Sequence, residues 1–179
     1  MHKLIKMILA AFVCFTLIAC GARKKEVNVV KDGTFYEYAN VNFTYPNSFK
    51  VQEASNQITD ELSKDGTKFV VQKDDEEISM MIDALIENNK VEELIELFRV
   101  EIETTGATIV SNTKVTLGNG DSCYEIVSQN DTHKAKYLVI FEEGKRYCLK
   151  YKATISDFDD QIIDMDKFLY TFTVKETGD

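Results

Sequence analysis

SCYEIVSQ (Ser122 to Gln129), KAKYLVIFE (Lys134 to Glu142) and RYCLKYKA (Arg146 to Ala153) are the stretches on which the reading of this chain turns. Each places β-branched, aromatic and other apolar residues at alternate positions, as a strand with two unlike faces requires. The segments between them, Asn130 to His133 and Glu143 to Lys145, are too short for parallel neighbours, which need crossovers of about a dozen residues or more. A fourth strand, Asn112 to Leu117, precedes them across Gly118-Asn119-Gly120-Asp121. Asn-Gly is a hairpin signal because both central residues can take positive φ. The four strands therefore read as an antiparallel meander. Grouping by aromatic character puts Tyr124, Ile126, Tyr137, Val139, Phe141, Tyr147, Leu149 and Tyr151 on one face. Cys123, Val127, Leu138, Ile140 and Cys148 fall on the other, between Glu125, Lys136, Lys150 and Lys152. Neither face is polar enough to stand in water alone, which predicts helices on both.

Two helices are at hand. Ser156-Asp157-Phe158-Asp159 has cap spacing, and Phe158, Ile162, Met165, Leu169 and Phe172 follow at steps of four, three, four and three. Thr173 to Asp179 reads as a polar tail. Asn89-Lys90-Val91-Glu92 opens a second helix to about Thr104, closed by Gly106, with Val91, Ile95, Phe98 and Ile102 inward and Leu94 and Leu97 widening the apolar face. Upstream, Lys68 to Gln72 and Ile78 to Ile82 form a hairpin around a charged tip, Lys73 to Glu77, and Ala54 to Ser63 forms a short helix. Phe35, Tyr36 and Tyr38, then Val41, Phe43 and Tyr45, give two short strands joined at Ala39-Asn40. Pro46 ends the second, since it lacks the N–H a ladder needs. The fold class expected is α+β: an antiparallel sheet sandwiched by helices, α/β/α, in one domain over residues 34–179.

The first residues are of another kind. His2, Lys3 and Lys6 precede an apolar run from Met7 to Ala19, thirteen residues against the ~20 of a spanning helix. Residues 1–19 thus read as a signal peptide. Leu17-Ile18-Ala19-Cys20-Gly21 resembles the lipobox of bacterial lipoproteins, which implies diacylglyceryl attachment at Cys20 and cleavage before it. Two acyl chains hold a protein durably where one does not. Residues 20–33 are then lipidated cysteine and tether.

Cleavage leaves 160 residues with 19 basic and 30 acidic side chains, a net charge of −11. Phosphate recognition needs clustered Lys and Arg, so nucleic acid is excluded as an expected partner. Arg23-Lys24-Lys25 beside the lipid reads either as an attraction to anionic headgroups or as a solvated spacer. Asp74 to Glu77 and the aspartates from Asp157 to Asp166 are the candidate cation sites, and a solvated turn and a helix-dipole role explain them better. The strand Lys134 to Glu142 lies between Cys123 and Cys148, which puts them beyond the ~7 Å a disulfide spans and predicts two free, half-buried thiols. His133 sits at a hairpin tip, too far from Cys123 for a dyad. No catalytic residue, cofactor or metal site is expected.

The phrase Val41-Asn42-Phe43-Thr44-Tyr45-Pro46 with Phe49, the meander closing on Tyr147 to Ala153, then Phe158 and Phe168-Leu169-Tyr170-Thr171-Phe172, resembles the bacterial PsbP-like lipoproteins. Phe49 stands where that pattern often has Trp, and Thr171 where it has Ser. The resemblance implies the same α/β/α sandwich. Relatives of that fold include accessory subunits of photosynthetic oxygen evolution and a family binding the GTPase Ran, so it points to docking more than to catalysis. The expected function is that of a lipoprotein anchored through Cys20 on the outer face of the cell membrane, binding an envelope protein partner. The alternative is a lipoprotein that binds a small ligand or divalent cation.

Overall fold

The computed structural model describes residues 30–51, 66–85 and 89–175. The leader, Cys20, the tether through residue 29, the helix expected over residues 54–63 and residues 176–179 lie outside these. In chain order the elements are β1 (Gly33–Tyr38), β2 (Val41–Pro46), β3 (Lys50–Val51), β4 (Thr67–Lys73), β5 (Glu76–Ala84), α1 (Val91–Thr104), β6 (Thr108–Thr116), β7 (Ser122–Gln129), β8 (His133–Glu142), β9 (Lys145–Thr154), α2 (Ile155–Leu169) and β10 (Thr173–Val174). Among the described residues the strands make two antiparallel sheets. The larger runs β3-β4-β5-β9-β8-β7-β6 and the smaller β1-β2-β10. The expected meander is β6 to β9, and the β4–β5 hairpin extends it past β9.

The faces of the sheet differ from those that aromatic grouping suggests. Glu142 pairs with Lys145 across a two-residue turn, so Val139 pairs with Cys148 and Leu138 with Leu149. Paired residues share a face. Tyr147, Leu149 and Tyr151 therefore lie with Leu138 and Cys123, and Cys148 lies with Val139 and Ile126. A one-residue change of register exchanges every side chain between faces, and here the turn length decides it.

Helix α1 covers the face that carries Cys148, burying Ile95, Phe98 and Ile102. Each such side chain contributes about 1.5–3 kcal/mol when taken fully out of water. The helix starts at Val91 with Lys90, not Asn89, in the capping position. Leu97 is 58% exposed and Val91 is exposed, so the buried stripe is narrower than expected. Helix α2 covers the opposite face through Phe158, Met165 and Leu169. Its cap is Thr154, whose hydroxyl accepts from the Asp157 N–H at 3.2 Å, and not Ser156.

Three further expectations are corrected. Thr173 and Val174 are not tail: they pair with Asn42 and Val41, because Phe172 and Val174 are both buried and draw the backbone alongside β2. Asn119 does not take positive φ. Thr116 pairs with Ser122, which leaves a five-residue loop where only Gly120 is left-handed (φ 92°). The charged tip of the β4–β5 hairpin shrinks to Asp74 and Asp75, since Lys73 pairs with Glu76 and Gln72 with Glu77. Asp74 absorbs the turn at φ 52°. Glu76 and Glu77 thus belong to a strand.

A candidate docking cleft

Where the small sheet, the end of α2 and the β6–β7 loop meet, they leave an open cleft of about 990 Å³. The end of α2 builds one wall. The Thr171 hydroxyl accepts from the Thr44 N–H at 2.7 Å, Phe172 plugs into the core, and the Thr173 hydroxyl donates to Asn42 Oδ1 at 2.7 Å. The Gly118 N–H donates to the Tyr170 carbonyl at 2.9 Å, which closes the loop against the helix end. A Cβ at Gly118 would lie 3.2 Å from that same oxygen, tighter than ordinary packing. Phe35 of β1 and Ile163 of α2 line the cleft and are 42% and 76% exposed. Both are thus large apolar side chains open to water within one concavity, the kind of place where another molecule binds.

A buried charge network adjoins the cleft through Asp166 and Tyr170. Lys136 of β8 is 5% exposed, and its Nζ lies 3.1 Å from Glu125 Oε2 and 2.8 Å from Asp166 Oδ1. The Tyr170 hydroxyl donates to Glu125 Oε2 at 2.6 Å, and the ammonium sits 5.5 Å from the centre of the Tyr170 ring. Burial first, then the bond to Glu125, holds the Tyr170 phenol well above its ordinary range. Burial pushes the Asp166 carboxyl upward, against the pull of Lys136.

Several carboxylates of the candidate cation groups are held by lysines. On α2, Asp159 meets Lys134 at 2.6 Å, Asp164 meets Lys167 at 2.5 Å, and Asp166 meets Lys136. Glu76, 3% exposed, accepts from the Tyr151 hydroxyl at 2.8 Å and faces Lys73 Nζ at 2.7 Å, while Glu77 meets Lys150 at 2.9 Å. The sequence reading of Glu76 as a solvated tip residue is thereby overturned: alternation turns it inward under α2, where Gln161 also reaches it at 3.3 Å. Among the described residues no three His, Cys, Asp or Glu side chains converge as a metal-binding group.

Cys123 and Cys148 are both free and fully buried rather than half-buried. They lie on opposite faces as well as on strands separated by β8. Burial pushes both thiols up to about 12. His133 stands at the start of β8 beside the Thr132 hydroxyl, whereas Cys123 is near the start of β7, at the other end of that ladder. Ellman's reagent at pH 8 should therefore leave both thiols of the folded protein unmodified and titrate both in guanidinium without reductant. A disulfide would leave neither titratable.

No protein-family model and no curated protein matches the chain. Among solved structures it is similar to the cyanobacterial PsbP of Synechocystis sp. PCC 6803, with TM-score 0.58 and 16% identity over 87% of this chain and 97% of that one. The fold is PsbP-like. A Pseudomonas aeruginosa protein of unknown function, PA94, described as a putative regulator, aligns at TM-score 0.53 and 9% identity over 82% of this chain and all (100%) of that one. The Saccharomyces cerevisiae Ran-binding protein Mog1p aligns at TM-score 0.51 and 10% identity, covering 81% and 96% of the two chains. The PsbP-like sandwich implied by the motifs around Tyr45-Pro46 and Tyr147 to Ala153 is thus the one found. The cleft, by contrast, had no motif to announce it. Its one available signal was opposite charge, Glu125 and Lys136, on one apolar face of neighbouring strands.

Proposed function

We propose that this chain is a docking module that acts by binding and not by catalysis, held to the outer face of a membrane by lipid on Cys20 and offering the cleft to an envelope protein. The observation that carries this reading is the exposure of Phe35 and Ile163 on the walls of a cavity of about 990 Å³. The Cys20 anchor is supported by the lipobox-like Leu17-Ile18-Ala19-Cys20 after a thirteen-residue apolar run. That one solved structure of this fold is described as Ran-binding is consistent with docking, although fold alone does not assign function. Binding of a divalent cation is the weaker reading, because Glu76, Glu77, Asp159, Asp164 and Asp166 are each already paired with a lysine.

A photo-crosslinking amino acid at position 163, in protein expressed in its native membrane, tests the proposal. It should give a discrete protein adduct that the same group at position 110, exposed on β6 outside the cleft, does not give. Identical adducts from both positions, or none from position 163, would remove the cleft as the docking surface.

A further inference from the structure

We infer that the last residues of the tether, Glu26 to Val29, fold back as a further strand along the outer edge of β1, with Asn28 opposite Phe35; what this does to the reach of the cleft rests on the docking and Cys20 readings. The first rung is already in place. Beside the β1–β2 ladder the Asp32 carbonyl accepts from the Asn47 N–H at 3.0 Å, whereas the Thr44 N–H, opposite Phe35, turns away to the Thr171 hydroxyl at 2.7 Å. Bonded and non-bonded pairs alternate in an antiparallel ladder, so Gly33, Phe35 and Glu37 point their N–H and C=O groups away from β2. Among the described residues no strand lies on that side, since β1 is the edge of the small sheet. The Gly33 N–H meets the Val30 carbonyl there at 3.1 Å. Val30 to Gly33 is a tight turn with Asp32 left-handed at φ 64°, so the chain before Val30 runs back antiparallel to β1. The next bonded rungs fall at Asn28 with Phe35 and Glu26 with Glu37.

Paired residues share a face. Val30, opposite Gly33, should therefore share the face of Phe35, and both do line the cleft. Val27 and Val29 fall on the other face beside Tyr36, whose ring packs on those of Phe43 and Phe69 at 5.2 and 4.1 Å between centres. Asn28 joins the cleft face, and Glu26 meets Glu37, whose charge Lys175 already answers. Glu-Val-Asn-Val thus alternates in phase with the sheet it would join. A turn left-handed only at its second central residue splays strands more than the primed hairpin turns do, which keeps the ladder short. Left open, the edge would offer its unpaired groups to other chains.

With Cys20 in the bilayer, five residues, Gly21 to Lys25, remain between lipid and body, at most about 18 Å at ~3.6 Å each. The twelve residues from Gly21 to Asp32 would span about 43 Å. The strand therefore selects a partner whose contact lies close to the membrane.

The test uses the full-length chain in its native membrane. Asn28→Cys with Phe35→Cys places two thiols on one face with Cα atoms about 5.5 Å apart, within disulfide range. Val27→Cys with Phe35→Cys places them on opposite faces. Mild oxidation should link the tryptic peptides on either side of Lys31 in the first variant and about tenfold less in the second. A tether that does not pair would link both alike. In detergent-solubilised protein, Asn28→Pro should speed exchange of the Phe35 amide about fivefold, what one hydrogen bond of ordinary net strength is worth. The Tyr36 amide, which faces Phe43 in the β1–β2 ladder, should keep its rate and report that the body is still folded. Equal linking of both pairs, no linking of the Asn28 pair, or a Phe35 amide indifferent to Asn28→Pro would overturn the strand. The position-163 adduct does not depend on it, so docking at the cleft stands or falls separately.

Discussion

Lys136→Met should lower the stability of the folded body by about 3 kcal/mol at neutral pH, the largest loss expected from a single change near the cleft. Methionine fits the space of the lysine stem but leaves Glu125 and Asp166 facing each other without a cation. Breaking a buried ion pair from one side costs about 3–5 kcal/mol, and the low end applies because Asp166 reaches the cleft. For a body of this size that corresponds to a drop of about 6–12 °C in Tm. Proton linkage gives the result a signature that lost packing lacks. Burial already raises the Asp166 carboxyl in the folded state, and removing Lys136 deletes the charge that opposed the rise. An acid whose folded pKa is raised costs stability once pH climbs from its unfolded value through its folded one. The deficit of the variant relative to wild type should thus be full at pH 8 and shrink toward pH 4. Adding Glu125→Gln and Asp166→Asn should restore most of it, because a neutral, filled site no longer buries unpaired charge. Thermal unfolding at both pH values checks this. A deficit independent of pH, with no rescue by the triple variant, would assign Lys136 a packing role alone.

How much of this was legible beforehand depended on whether a feature was local. The meander could be read because Asn130 to His133 and Glu143 to Lys145 are short, and short loops leave antiparallel neighbours as the only option. The inward stripes of α1 and α2 could be read because Ile95, Phe98, Ile102, Phe158, Met165 and Leu169 keep helical spacing. The phase of β9 could have been counted from the two-residue turn, and grouping Tyr147 and Tyr151 with the other aromatics missed it. What no local pattern carried was the second sheet. Val174 pairs with Val41 across more than a hundred residues, on the strength of Phe172 and Val174 being buried together. The cleft is the gap between that late-returning strand, α2 and the β6–β7 loop. Its residues come from six elements and loops, so no window of sequence holds enough of them to be noticed. Charged residues were misread for a related reason. Glu76 looks like a turn residue beside Asp74 and Asp75, until pairing with Lys73 makes it a strand position and alternation sends it to Tyr151.

Cys20→Ala should release the protein from the membrane fraction altogether, or leave it there as the uncut precursor, and the two fates are told apart by intact mass. Each acyl chain partitions with ~0.8 kcal/mol per buried methylene, and durable attachment needs two such chains or a chain with a basic patch. On the proposed reading both chains sit on one sulfur, so a single substitution removes the whole anchor. The rest of the mature chain cannot compensate. Its net charge of −11 repels an anionic leaflet, and Arg23, Lys24 and Lys25 offer only about 1 kcal/mol each at close range, screened within a Debye length. Among the described residues no helix is long and apolar enough to cross a membrane in its place. The expected pattern is therefore sharp: wild type in the membrane pellet with added acyl mass and an N-terminus at Cys20, and the variant with neither. Wild-type protein that resists carbonate washing yet carries no acyl mass would replace the lipid with an uncleaved leader. The cleft would then be held at the bilayer by the apolar run from Met7 to Ala19 itself.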